Sequence, residues 1–135
     1  MFDVLLVSHG HLAQEALVTA RMVYGEPAGK VTTLGFCPGE SQDELLLKIK
    51  AAVRDSAPRG CLVMCDILGG SPFLMAAKAF VELRDEVPIE VISGLSLGML
   101  VEALSAQEDA SLSDAKSQAL AAAQQSVRDV SEQFS

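Results

Sequence analysis

Cations are scarce in this chain and are never bunched. Ten Lys and Arg stand against eighteen Asp and Glu, for a formal net charge of −8. A nucleic-acid ligand is not expected, because phosphate backbones need a positive footprint. One tyrosine and five phenylalanines leave little for base stacking as well. The acidic balance suits either a basic protein partner or simple solubility. Long apolar runs are also missing. Half of the residues are apolar, yet no stretch reaches the roughly 18 needed for a membrane span. No basic segment opens the chain and Asp3 comes almost at once, which argues against a signal peptide. The three cysteines, Cys37, Cys61 and Cys65, leave one unpaired in any disulfide scheme. They read as small buried apolar residues in a reducing cytoplasm. Histidine is reduced to two, His9 and His11.

What is present is regular. The 135 residues suit one domain spanning the whole chain, long enough to bury a core without disulfides or metals. Phe2 to Val7 is an apolar run consistent with a buried strand. Leu12 to Tyr24 carries Leu12, Ala13, Ala16, Leu17, Ala20 and Val23 on one helical face. Val31 to Phe36 predicts a second strand, and Ser41 with Glu44 three residues on forms a capping box for the helix that follows. Cys61 to Ile67 predicts a third strand. Ser71 and Pro72 suit an N-cap and first helical residue for a helix through Leu83. A fourth strand is expected over Ile89 to Ile92, a short helix over Leu97 to Leu104, and a longer helical pattern over Leu112 to Phe134, whose end is open to an extended alternative. Strands alternating with helices over short loops predict an α/β fold: a doubly wound, mainly parallel sheet with helices on both faces.

Sheets of this kind react outside the carboxyl ends of their strands. Three such ends carry unusual residues: His9-Gly10 after the first, Cys37-Pro38-Gly39-Glu40 after the second, and Asp66 with Gly69-Gly70-Ser71-Pro72-Phe73 at the third. If the first and third strands are neighbours, His9 and Asp66 meet. A carboxylate on one ring nitrogen fixes the tautomer and leaves the other nitrogen nucleophilic. Gly69-Gly70 admits a ligand close to the backbone, and the helix starting near Ser71 presents free N–H groups, an anion site. Each part has an ordinary alternative: a hydrogen-bonded structural histidine, a turn aspartate, a turn followed by a cap, and a solvated Glu40. The joint arrangement favours a histidine that accepts and releases a phosphoryl group. His11 is expected to face solvent. A metal site at His9 and His11 lacks further ligands at a suitable spacing, so no metal and no cofactor is expected.

At these residues the chain resembles the enzyme IIA domains of the mannose-family phosphoenolpyruvate-dependent sugar phosphotransferase system. The segments that carry the likeness are Val7-Ser8-His9-Gly10, Phe36-Cys37-Pro38-Gly39-Glu40, Asp66 through Phe73, and Ser93-Gly94 to Met99-Leu100. The resemblance implies that His9 takes phosphate from the carrier protein HPr on Nε2 and passes it to a histidine on enzyme IIB, with the membrane components IIC and IID downstream. It implies that Asp66 holds the other ring nitrogen, and that Ser71 and its neighbouring amides, with Gly10, Gly69 and Gly70, contact the phosphate. It also implies a cytoplasmic homodimer with an exchanged C-terminal strand. The chain departs from the family pattern at Ser96 and Gly98, where Asn and Pro are common.

Other classes fit less well. Histidine phosphatases and tetrapyrrole chelatases share the His-Gly after a first strand, but both need a second, distant histidine, and the phosphatases usually have Arg where Ser8 stands. A receiver domain phosphorylated on Asp66 lacks its acidic pair. The IIA-like phosphotransfer subunit of dihydroxyacetone kinases is the nearest alternative; the Phe36 to Glu40 and Gly69 to Phe73 segments favour the sugar-transport version.

Overall fold

The computed structural model describes residues 1–134. Its sheet holds β1 (Asp3–His9), β2 (Val31–Phe36), β3 (Cys61–Cys65) and β4 (Ile89–Ile92), all parallel, in the order β2-β1-β3-β4. The helices are α1 (Leu12–Tyr24), α2 (Gln42–Asp55), α3 (Ser71–Leu83), α4 (Leu97–Ala106), α5 (Leu112–Gln125) and α6 (Val130–Gln133). The apolar run of β1 is explained by burial on both faces. Val4 and Leu6 pack into one cluster with Leu17, Ala20, Leu100, Leu104 and Ala119 from α1, α4 and α5. Leu5 and Val7 pack into the other with Leu45, Ile49, Ala76 and Ala79 from α2 and α3. The expected doubly wound α/β architecture is therefore the one observed. From β1 the chain crosses to β2 on one side, then returns to β3 on the other. The sheet's topological switch point lies between β1 and β3, where such folds open a crevice at the strands' carboxyl ends.

Three expectations change. The third strand ends at Cys65, not Ile67. The Cys65 and Asp66 carbonyls accept from Leu95 and Gly94 N–H at 2.9 Å each, while Gly70 N–H closes a turn on the Ile67 carbonyl, so the chain leaves the sheet at Asp66. The N-cap of α3 is Gly70, and Ser71 is already helical. Leu74 N–H bonds the Gly70 carbonyl at 2.9 Å, and Pro72 sits in the first turn, where its missing donor costs nothing. The helical pattern over Leu112 to Phe134, whose end was open to an extended alternative, is broken after Gln125. Ser126 Oγ turns back to donate to the Ala123 carbonyl and Asp129 caps a new turn through Ser131 N–H, local bonds that compete with the helical ladder. Val130–Gln133 is helical in this chain; Ser135 lies outside the described residues. The capping box is as expected, with Glu44 N–H donating to Ser41 Oγ.

Among the described residues no helix is long and apolar enough to cross a membrane.

Candidate active site

The register of the sheet brings the two expected residues together. Val7 of β1 pairs with Cys65 of β3, so the next residue, Asp66, turns out beside His9. Asp66 Oδ2 accepts two hydrogen bonds from His9, one from its backbone N–H at 2.8 Å and one from ring Nδ1 at 2.9 Å. The carboxylate is buried while the imidazole is 47% exposed. Burial pushes the Asp66 carboxyl up. The His9 N–H, the imidazole and, more weakly, the Ile67 N–H outweigh this and hold it below the usual carboxylate range. An ionised carboxylate only accepts, so Nδ1 carries a proton, and in the neutral ring Nε2 is the nitrogen with the free lone pair. Oδ1 is buried without a well-formed hydrogen bond among the described residues.

The walls of the site come from the neighbouring strand ends. Gly10 takes φ +54° and its N–H bonds the Phe36 carbonyl at 2.9 Å, which folds the chain back over β2. Phe36, opposite His9 in the register, meets the imidazole edge-on at 6.4 Å between centroids. Beyond it a groove runs along Cys37, Pro38, Gly39 and Glu40. Gly69, at φ +85°, makes the turn that returns the chain to the ring, and Gly70 lies directly against it. Ser71 opens α3, and its Oγ accepts from Gln42 Nε2 at 2.9 Å, which leaves its hydroxyl hydrogen free to donate. Ser71 and Phe73 lie in the first turn, where N–H groups have no carbonyl of their own helix to bond. The residues of this edge, 8–16, 36–44, 66–74 and 93–98, include no Lys or Arg. Any anion held here therefore depends on amides, the helix dipole and whatever a partner brings.

His11 is exposed at the start of α1 and makes no side-chain capping bond. Glu40 is not a free acid: its Oε1 accepts from Cys37 N–H at 3.0 Å, and Lys48 lies 3.6 Å from Oε2. Cys61 and Cys65 are buried as expected, and burial pushes both thiols up to about 12, so they stay neutral. Cys37 corrects the expectation for all three, because it is only half-buried and lines the groove beside His9. Among the described residues no three His, Cys, Asp or Glu side chains are grouped to hold a metal.

Three supports were missed in the sequence. Ser8 is fully buried; its Oγ accepts from Ala13 N–H at 2.7 Å and donates to the His9 carbonyl at 3.1 Å, tying α1 to the end of β1. Gln42 orients Ser71 across 29 residues of sequence. Gly35 is required by the His9-Gly10 turn, since a Cβ there would lie 2.2 Å from the Gly10 carbonyl oxygen. A glycine inside a strand signals such a close approach. Gly35→Ala is expected to cost about 1–3 kcal/mol by overpacking, read as a lowered denaturation midpoint; unchanged stability would mean that Gly10 is free to move.

The family model described as PTS system fructose IIA component, EIIA-man, matches residues 3–120. The chain belongs to this family. The relatives it matches are named as IIA or IIAB components of PTS systems. It is 36% identical over 107 residues to the PTS system mannose-specific EIIAB component of Escherichia coli K12. That match covers 78% of this chain but 32% of the relative, so the IIA chain spans about a third of that protein. It is 31% identical over 114 residues to the PTS system sorbose-specific EIIA component of Klebsiella pneumoniae, covering 84% of this chain and 81% of that one. Among solved structures, the PTS IIA protein associated with the fucose utilization operon of Streptococcus pneumoniae superposes with a TM-score of 0.81 at 34% identity, over 98% of this chain and 96% of that one.

Proposed function

We propose that this IIA component carries a phosphoryl group on His9 Nε2, taking it from phosphorylated HPr and handing it to a histidine on enzyme IIB. IIC and IID then act downstream in sugar uptake. The observation that supports this reading is the Nδ1–Asp66 bond at 2.9 Å on a ring that is otherwise half open. It makes Nε2 the free nitrogen of the neutral ring, beside Gly70 and the start of α3.

In the transfer, the Nε2 lone pair forms a bond to phosphorus as the donor's N–P bond breaks and the donor nitrogen keeps its electron pair. The Nδ1 proton stays on the ring, and the imidazolium charge that develops faces the Asp66 carboxylate. Like bonds are exchanged, so the protein's contribution is positioning and charge stabilisation. Gly10, Gly69 and Gly70 give the phosphoryl oxygens access to backbone, and the Ser71 hydroxyl and first-turn amides of α3 donate to them. The Lys48 ammonium near this edge lies against Glu40, so the chain relies on a basic partner surface to complete the neutralisation. Exposed Val127, Val130 and Phe134 support a homodimer formed through the C-terminal segment, and the proposed partners place it in the cytoplasm.

The test is incubation with radiolabelled phosphoenolpyruvate, enzyme I and HPr. Label is expected on the protein, lost in acid and stable in base. Failure to take label from phosphorylated HPr would overturn the reading.

A further inference from the structure

We propose that Gly70 is a positioning residue: the space left by its missing side chain is what keeps the His9 imidazole on Asp66. The inference rests on the phosphocarrier reading for its consequence, but its geometric content stands alone. Gly70 has φ −74° and ψ 169°, an extended conformation open to any residue, so the backbone does not ask for glycine. Nor does the helix. Ser, Asp or Asn at an N-cap satisfies one of the free N–H groups of the first turn, and glycine has no side chain to do so. Its use here has another cause. A Cβ at position 70 would lie 2.8 Å from Cε1 of His9 and 3.5 Å from Nε2.

The ring cannot give way at no cost. Its Nδ1 is held by Asp66 at 2.9 Å, its backbone N–H is held by the same oxygen, and Phe36 stands across from it at 6.4 Å. Gly70, Phe36 and Asp66 thus stand around the ring, with its remaining side open. A side chain at 70 pushes the imidazole out of that position, breaks the Nδ1–Asp66 bond, and frees the proton to move to Nε2, the nitrogen meant to accept phosphorus.

Two variants separate this from a structural role. Gly70→Ala adds the Cβ alone. Gly70→Ser adds the same Cβ together with a capping hydroxyl that favours the helix start. If Gly70 served only the fold, Gly70→Ser would keep wild-type function at equal or higher thermal stability. The positioning role instead predicts at least a tenfold slower uptake of phosphate from HPr in both variants while folded, with the KM for phosphorylated HPr little changed. Nitrogen-15 NMR of His9 in the unphosphorylated proteins reads the ring directly. The variants should lose the wild-type excess of the Nδ1–H tautomer. Wild-type tautomer populations in both variants would overturn the proposal whatever the labelling shows. An unlabelled wild type beside altered tautomers in the variants would overturn the carrier reading alone.

Discussion

Replacing His9 with alanine is expected to abolish phosphate uptake from HPr, and replacing His11 to leave it intact. The transfer is covalent, so a chain without the accepting nitrogen has no residual route. His11 offers no substitute. It is exposed at the N-terminus of α1, without a side-chain capping bond, and nothing comparable to Asp66 fixes its tautomer. Of the other nucleophiles near the site, Cys65 is buried, with its thiol pushed up to about 12 by that burial, and Asp66 already holds the ring; Cys37, half-buried in the groove, is the group that label retained in His9→Ala would point to. The measurement is labelling of the two single variants beside wild type. Retained label in His9→Ala, or lost label in a folded His11→Ala, would assign the chemistry to another group.

Asp66→Asn is expected to slow uptake by up to roughly 10⁴-fold while the fold survives, by analogy with the loss when a triad carboxylate is amidated. Two effects add. With its amide oxygen in the place of Oδ2, asparagine still accepts from the His9 N–H and Nδ1–H, but without the charge that steadies the developing imidazolium. With its NH₂ there, it donates to Nδ1 and drives the proton onto Nε2. Oδ1 is buried without a well-formed bond, so the first orientation leaves an unpaired buried donor as well. The stability cost is about 1–3 kcal/mol. The pH dependence has a definite sign. The folded carboxyl lies below its usual value, so its stabilising contribution is complete above the ordinary carboxylate range and is lost as pH falls through the lowered value. Asp66→Asn removes that part of the acid sensitivity. Wild-type transfer rates in the folded variant would rule out an orienting role for the carboxylate.

Much of this was legible before any coordinates. The apolar-rich run from Phe2 to Val7, with Asp3 inside it, is consistent with a strand covered on both faces, and Leu5 and Leu6 do face opposite clusters. His9 and Asp66 were visible as reactive residues at strand ends. Their meeting was conditional on β1 and β3 being neighbours, which the strand order supplies. What stayed hidden was non-local or competitive. No local pattern ties Gln42 to Ser71, or Gly35 to the Gly10 carbonyl, because those contacts exist only once two loops share one edge. The helical spacing over Leu112 to Phe134 ran on through Ser126 and Asp129. Periodicity counts apolar positions and is blind to a hydroxyl or carboxylate that bonds the local backbone instead. A solvated Glu40 was one of the ordinary alternatives for the same reason, since the turn it closes on Cys37 is made by its own side chain.

The most direct test of the central claim is the chemical identity of the phosphorylated atom. Nitrogen-15 and phosphorus-31 NMR of the protein after phosphorylation through HPr should show a single phosphoramidate, with phosphorus on Nε2 of His9 and the proton retained on Nδ1. Phosphorus on Nδ1, on His11, or on a carboxylate as an acyl phosphate would contradict the account.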